Sequence, residues 1–289
     1  MSIALLLRRP LALNAAMRID RAPAWLWIAL QSAALWPTWR WMAARVADGS
    51  DDPLGLLALA TLGALLWSAR GQLRCAPRLP WLAAALAGTL AATLLRGWVT
   101  PLATSLLAIV AWACSLLAFL PAARAHGGAA RCAIAATPVL TLAVLALPLI
   151  ASLQFYAGYP LRVITAEASR WLLGAWFAVQ REGSSLLVDG RLIIVDAPCS
   201  GVQMAWAGYF TACAVALLRG RANRAFLLRL PLVGLTVLAG NVLRNTVLVA
   251  LEAGGHGAAA LVHQGVGLLV LAAVCGGIAV VMGRAEARS

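Results

Sequence analysis

The sequence predicts an all-α, polytopic membrane protein of about eight transmembrane helices, and three observations predict it. Of 289 residues, 63% are hydrophobic and 11% charged, where a soluble domain carries roughly 25% charged residues. Mean hydropathy is +0.87. Charge-free stretches recur along the chain, and the 23 basic residues, all arginine, gather in alternate loops. A net charge of +13 distributed in this way is no nucleic-acid footprint. Without a lysine, a G-x-x-x-x-G-K phosphate loop cannot form, which excludes pumps of the P-loop type.

A bilayer crossing needs about 20 apolar residues, within roughly 17–25. Runs of that order cover 22–39, 53–69, 79–95, 97–123, 132–161, 197–218, 230–251 and 253–283, the seventh interrupted by Arg244. Trp25, Trp27, Trp36, Trp39 and Trp41 cluster around the first run, as interfacial anchors do. Residues 1–20 contain Arg8, Arg9 and Arg18 and no small-residue cleavage site, so they are not expected to be a signal peptide. Placing this segment inside and alternating the loops puts segments 70–78, 124–131, 219–229 and the tail after 283 on the same side. Together these inside segments account for the whole net charge of +13. The positive-inside rule therefore predicts both termini on the cytoplasmic side.

Between the fifth and sixth runs lies the one substantial outside segment, 162–196. Over 161–180, Ile164, Ala168, Trp171, Leu172, Ala175, Trp176 and Val179 recur at helical spacing, predicting a short amphipathic helix in the interface plane. Residues 184–195 then alternate about Asp189-Gly190, a turn dipeptide that predicts a hairpin. There is no internal repeat and no Pro/Gly/Ser-rich linker, so 1–289 reads as one domain. Six cysteines at irregular spacing do not form a disulfide framework. Cys75, Cys114, Cys132, Cys213 and Cys275 read as small core residues.

Cys199 differs from the other five. It follows Pro198 at the expected outer start of the sixth run, where backbone N–H groups lack helical partners and the dipole favours an anion. That setting favours the nucleophilic thiolate, although a cysteine in an apolar run is more often plain filler. The stretch from 230 to 243 is too short to cross, so the seventh span continues through Arg244. The guanidinium then sits roughly 12 Å from the outer end, a depth at which a charge is a functional hypothesis by default; snorkelling is the plainer alternative. Asn241 lies three residues earlier on the same helical face, and Asn245 follows Arg244. His263, beside Gln264, lies some six residues, roughly 9 Å, deep on the outer side of the eighth span, where a histidine bonded between helices is the alternative. His126 and His256 fall in loops.

The orientation, drawn from loop arginines alone, brings Cys199, Arg244 and His263 into the outer half of three successive spans, and short loops make such spans neighbours. The three form a workable acyl-transfer set. Imidazole takes the thiol proton and returns it to the leaving amine, while guanidinium stabilises the developing oxyanion. Gln203 is one turn past Cys199 and is placed to assist. The other intramembrane protease signatures G-x-S-x-G and G-x-G-D are absent, as is H-E-x-x-H. No cofactor is called for.

These residues are similar to those of the exosortase/archaeosortase family. Ala197-Pro198-Cys199-Ser200-Gly201-Val202 resembles its A-C-S-G-[IL] block, preceded by a hairpin-like stretch. Gly240-Asn241-Val242-Leu243-Arg244-Asn245 resembles its N-x-x-R block, and His263 with Gly265 and Gly267 resembles its late-span histidine. The likeness is sharpest over 160–285. It implies that Cys199 is the nucleophile of a membrane-embedded cysteine transpeptidase, Arg244 its essential basic residue and His263 the third member, with Ser200, Gln203, Asn241 and Asn245 supporting. It implies as partners exported proteins that end in a short motif, a transmembrane helix and an arginine-rich tail, cleaved at the motif and passed to an acceptor through a thioester. Pro198 stands where many relatives have a small residue and Gln203 where arginine is common, which implies a divergent subfamily. The alternative is a membrane transporter or assembly protein that uses Arg244 as an anion or binding site. The absent repeat and the lack of further intramembrane charges weigh against it.

Overall fold

The structure is a computed structural model that describes residues 22–121, 134–194, 200–254 and 260–284. Cys199, Pro198, Cys132, His126 and His256 lie outside the described residues. The fold is mostly helical, and the chain divides into two compact units, one of residues 1–43 with 62–134, the other of 44–61 with 135–289.

The first unit holds α1 (Ala24–Ala34), most of α2 (Trp36–Ala47), the second half of α3 (Gly55–Ser68), α4 (Leu79–Leu94) and α5 (Pro101–Phe119). Helix starts follow local chemistry. Pro101 opens α5 where its missing N–H does no harm, and Thr100 Oγ1 accepts the Ala103 N–H at 3.4 Å. α4 and α5 run antiparallel. The Arg78 guanidinium donates to the carbonyls of Leu117 and Leu120 at the C-terminal end of α5, a favourable place for a cation. Trp112 Nε1 donates to Ser32 Oγ at 2.9 Å, and the Trp39 and Trp112 rings meet edge to face at 5.5 Å. Cys114 is buried, but Cys75 is exposed; it sits in the turn before α4, so the expectation of a core residue does not hold there.

The second unit contains α6 (Ala136–Leu145), α7 (Ile150–Leu173), strands β1 (Val179–Glu182), β2 (Ser185–Val188) and β3 (Arg191–Ile194), then α8 (Val202–Leu218), α9 (Asn223–Ala253) and α10 (Ala260–Gly283). α6 and α7 meet at 92° across a four-residue break that contains Pro148. The segment before α3 holds this corner open. Asp51 Oδ1 accepts the N–H groups of Ile150 (3.1 Å) and Ala151 (3.3 Å), capping the start of α7 from a distant part of the sequence. Gly55 packs against the Ala146 carbonyl so closely that a side chain there would overlap it.

The three strands form an antiparallel sheet in the order β1-β2-β3. The β2–β3 turn uses Asp189 (φ 48) and Gly190 (φ 80), both left-handed, as a two-residue turn of the primed type requires. The amphipathic helix expected over 161–180 is not a separate element. α7 runs unbroken through Pro160 to Leu173, and Val179 already begins β1. The sheet seats on α7 and α9 through Ala166, Leu173, Leu186, Val188, Ile193 and Val249.

α8, α9 and α10 pack against one another, and Gly208 permits the close approach: a Cβ there would lie 2.6 Å from Val237 Cγ2. By length and composition, three helices among the described residues can cross a membrane: α5, α9 and the 261–283 part of α10. The bent α6–α7 pair raises the number to as many as four, and α1, α3, α4 and α8 are shorter apolar helices. Each run expected to cross thus contains a helix, but fewer than eight reach spanning length by themselves.

Candidate active site

The segment from Ser200 into the first turn of α8 is held from three sides. Ser200, 2% exposed, donates from Oγ to Gln154 Oε1 of α7 at 2.8 Å. Gly201 has φ +81, and a Cβ there would sit 2.7 Å from Asn241 Cγ of α9, so glycine is required by both backbone and space. Gln203 Nε2 donates to Asp52 Oδ2 at 2.8 Å. This turn directly follows Cys199 in the chain.

Asn241 and Arg244, expected on one face, serve different neighbours. Asn241 is buried and donates from Nδ2 to Thr165 Oγ1 of α7 at 3.1 Å. Thr246 continues the same seam, donating to Ser169 Oγ at 3.1 Å. Asn245 is also buried and does not line the cavity described next. Arg244 turns instead to α10, where its guanidinium lies over Gly267: a Cβ at 267 would come within 3.4 Å of Nε and Nη2. Gly267 is one turn beyond His263, so guanidinium and imidazole belong to one face of α10.

Arg244, His263 and Gln203 meet at a cavity of about 540 Å³, which Asp52–Leu54, Met204, Ala207, Gln264, Gly267, Leu268 and Leu271 complete. Its lining is largely apolar, and a charge or hydrogen bond there acts through a low dielectric. Cys199 is outside the described residues, so the geometry gives its chain neighbour Ser200, and the cavity-lining Gln203 one turn on, in its place. Among the described residues no three His, Cys, Asp or Glu side chains gather as metal ligands.

Asp52 and Gln154 are not evident as site residues from the sequence alone. Asp52 reads as one more acid in a loop, and its tie to Gln203 spans 151 positions. Gln154 did carry a signal: an amide inside an apolar run has to find a partner on another helix.

A family model described as transmembrane exosortase matches residues 41–280. No curated protein and no solved structure matches the chain.

Proposed function

Since the chain belongs to the transmembrane exosortase family, we propose that it is a membrane-embedded cysteine transpeptidase that cleaves the C-terminal sorting signals of exported proteins and transfers the new C-terminus to an acceptor. One observation carries this reading: Arg244 and His263, from two helices, line the same cavity as Gln203 in the first turn after Cys199. In this account Cys199 attacks the scissile carbonyl. His263 takes the thiol proton and gives it to the departing amine. Arg244, placed over Gly267, stabilises the oxyanion of the tetrahedral intermediate. Ser200, Asn241 and Asn245 act as supports, Ser200 through Gln154 and Asn241 through Thr165 and Gly201.

The chain acts as a single domain in an inner membrane, with the termini inside and the cavity opening to the outer half. Clients carry a short motif, a transmembrane helix and an arginine-rich tail, and the bilayer presents that helix to the cavity.

The test follows a client of this type by mass in cells expressing variants at equal level. Cys199→Ala reduces removal of the client's C-terminal helix by about a thousandfold or more, while Cys213→Ala, fully buried within α8, processes normally. Processing that continues in Cys199→Ala contradicts the reading and turns attention to Arg244 as a transport or binding residue.

A further inference from the structure

The three-stranded sheet leaves one edge of its backbone unused. The parity within β2 is set by the Asp189 N–H, which donates to the Ala178 carbonyl at 3.0 Å. Successive residues of a central strand bond to opposite neighbours, so Asp189, Leu187 and Ser185 face β1, and Val188 and Leu186 face β3. Val188 pairs with Arg191, and Leu186 with Ile193. Arg191 and Ile193 thus spend their N–H and C=O groups on β2, and those of Leu192 and Ile194 point away from the sheet. Among the described residues no backbone group outside the sheet bonds to β3. The opposite edge differs: β1 packs along α7, and Arg181 ties it there by donating to Glu167 Oε2 at 2.7 Å. On β3, Ile193 is buried in the core while Leu192 is 56% exposed. Neither a proline nor a bulge blunts this edge.

The edge also has a direction. Ile194 pairs with Ser185 beside the β1–β2 turn, and a Cβ on Gly183 of that turn would lie 3.5 Å from the Tyr159 hydroxyl. Tyr159 is five residues beyond Gln154 on α7, roughly 7 Å, and Gln154 holds Ser200 at the head of α8. The Asp189-Gly190 turn, at the other end of β3, pairs with Ala178 past the C-terminal end of α7. β3 therefore runs from the C-terminal end of α7 back toward the head of α8.

We infer that β3 is the docking edge for the client: the stretch just before the scissile bond adds to Leu192–Ile194 as a fourth strand, parallel to β3. This rests on the transpeptidase reading. A client that comes from outside and continues into a membrane helix runs N to C toward the head of α8, which is the direction of β3. Backbone bonds to Leu192 and Ile194 hold such a stretch extended whatever its sequence. Its alternate side chains remain free for recognition of the motif.

The test uses the full chain in detergent and a synthetic peptide, the stretch before the cleavage site mapped in the client followed by its membrane helix. Each residue before the cleavage site carries a single N-methyl group in turn. At every second residue, methylation should raise the peptide concentration for half-maximal cleavage by about fivefold or more, the size of one or two lost hydrogen bonds. Residues between should change it little. Losses without alternation, or no losses, overturn the inference. Leu192→Pro removes an N–H that the sheet does not use. It should raise the same concentration about as much without lowering the maximal rate, while Leu192→Thr, which keeps the N–H, should match the parent. An unchanged Leu192→Pro, or equal losses in both variants, overturns the inference too. The N-methyl scan is read on the parent protein, so it decides alone where Leu192→Pro fails to fold. Cleavage that survives Cys199→Ala removes the transpeptidase reading, whereas a thioester on Cys199 without alternation removes only the added strand.

Discussion

Gly201 shows how closely the head of α8 is specified. Its φ of +81 places it in the left-handed region, where a side chain costs about 1–2 kcal/mol. The Asn241 amide occupies the space a Cβ would need. Gly201→Ala should therefore lower client processing by about tenfold or more. Part of that loss comes from overlap with Asn241, so adding Asn241→Ala should cost less than its effect in the parent chain. A double-mutant cycle on processing rate measures that coupling, and strictly additive losses contradict the contact. Gly201, Asn241, Arg244 and His263 were all legible as sequence because they fall in short blocks. What the blocks concealed was direction: Asn241 and Arg244 are three residues apart and yet address α7 and α10 respectively.

At the scale of elements, the corner between α6 and α7 depends on a residue about a hundred positions away. By charge alone the fifth span ends near 161, because Arg162 is the first charge after a long apolar run. The structure breaks instead at 146–149 and carries α7 to Leu173. Pro148 was a local hint, but the cap from Asp51 could not be seen locally, since a capping residue is normally adjacent to its helix. The hairpin about Asp189-Gly190 was visible because its turn chemistry is local, whereas β1 was hidden in a helical-looking pattern of tryptophans. Asp51→Ala should remove the cap of α7 and leave Arg45 without its carboxylate, lowering stability by about 1–2 kcal/mol. Asp51→Asn, which can still accept the two N–H bonds, should lose less. Unfolding of the purified protein in mixed micelles reads both, and equal stability of Asp51→Ala and parent would contradict the capping role.

For the whole molecule, composition and arginine placement were enough to identify a membrane protein, and the short blocks near residues 199, 244 and 263 were enough to find the family. The number of crossings is less directly written. Charge-free runs count eight, yet α1, α3, α4 and α8 are shorter than a bilayer by themselves, because helix length is set by caps and breaks as well as by charge. The proposed orientation has its own check. Cys75 is exposed and belongs to the 70–78 segment assigned inside, while Ser184 lies in the β1–β2 turn assigned outside. With the other cysteines replaced by alanine, a membrane-impermeant maleimide added to intact cells should label Ser184→Cys at once and Cys75 only after permeabilisation. The reverse pattern contradicts the orientation.

The central claim is that Cys199 forms a thioester with the client. The most direct measurement mixes the purified protein with a client, quenches in acid, and maps adducts by mass spectrometry. The account predicts the client's N-terminal portion attached to the peptide that carries Cys199, in a linkage released by neutral hydroxylamine. Client cleavage that proceeds with no adduct on Cys199, and at the same rate in Cys199→Ala, would contradict it.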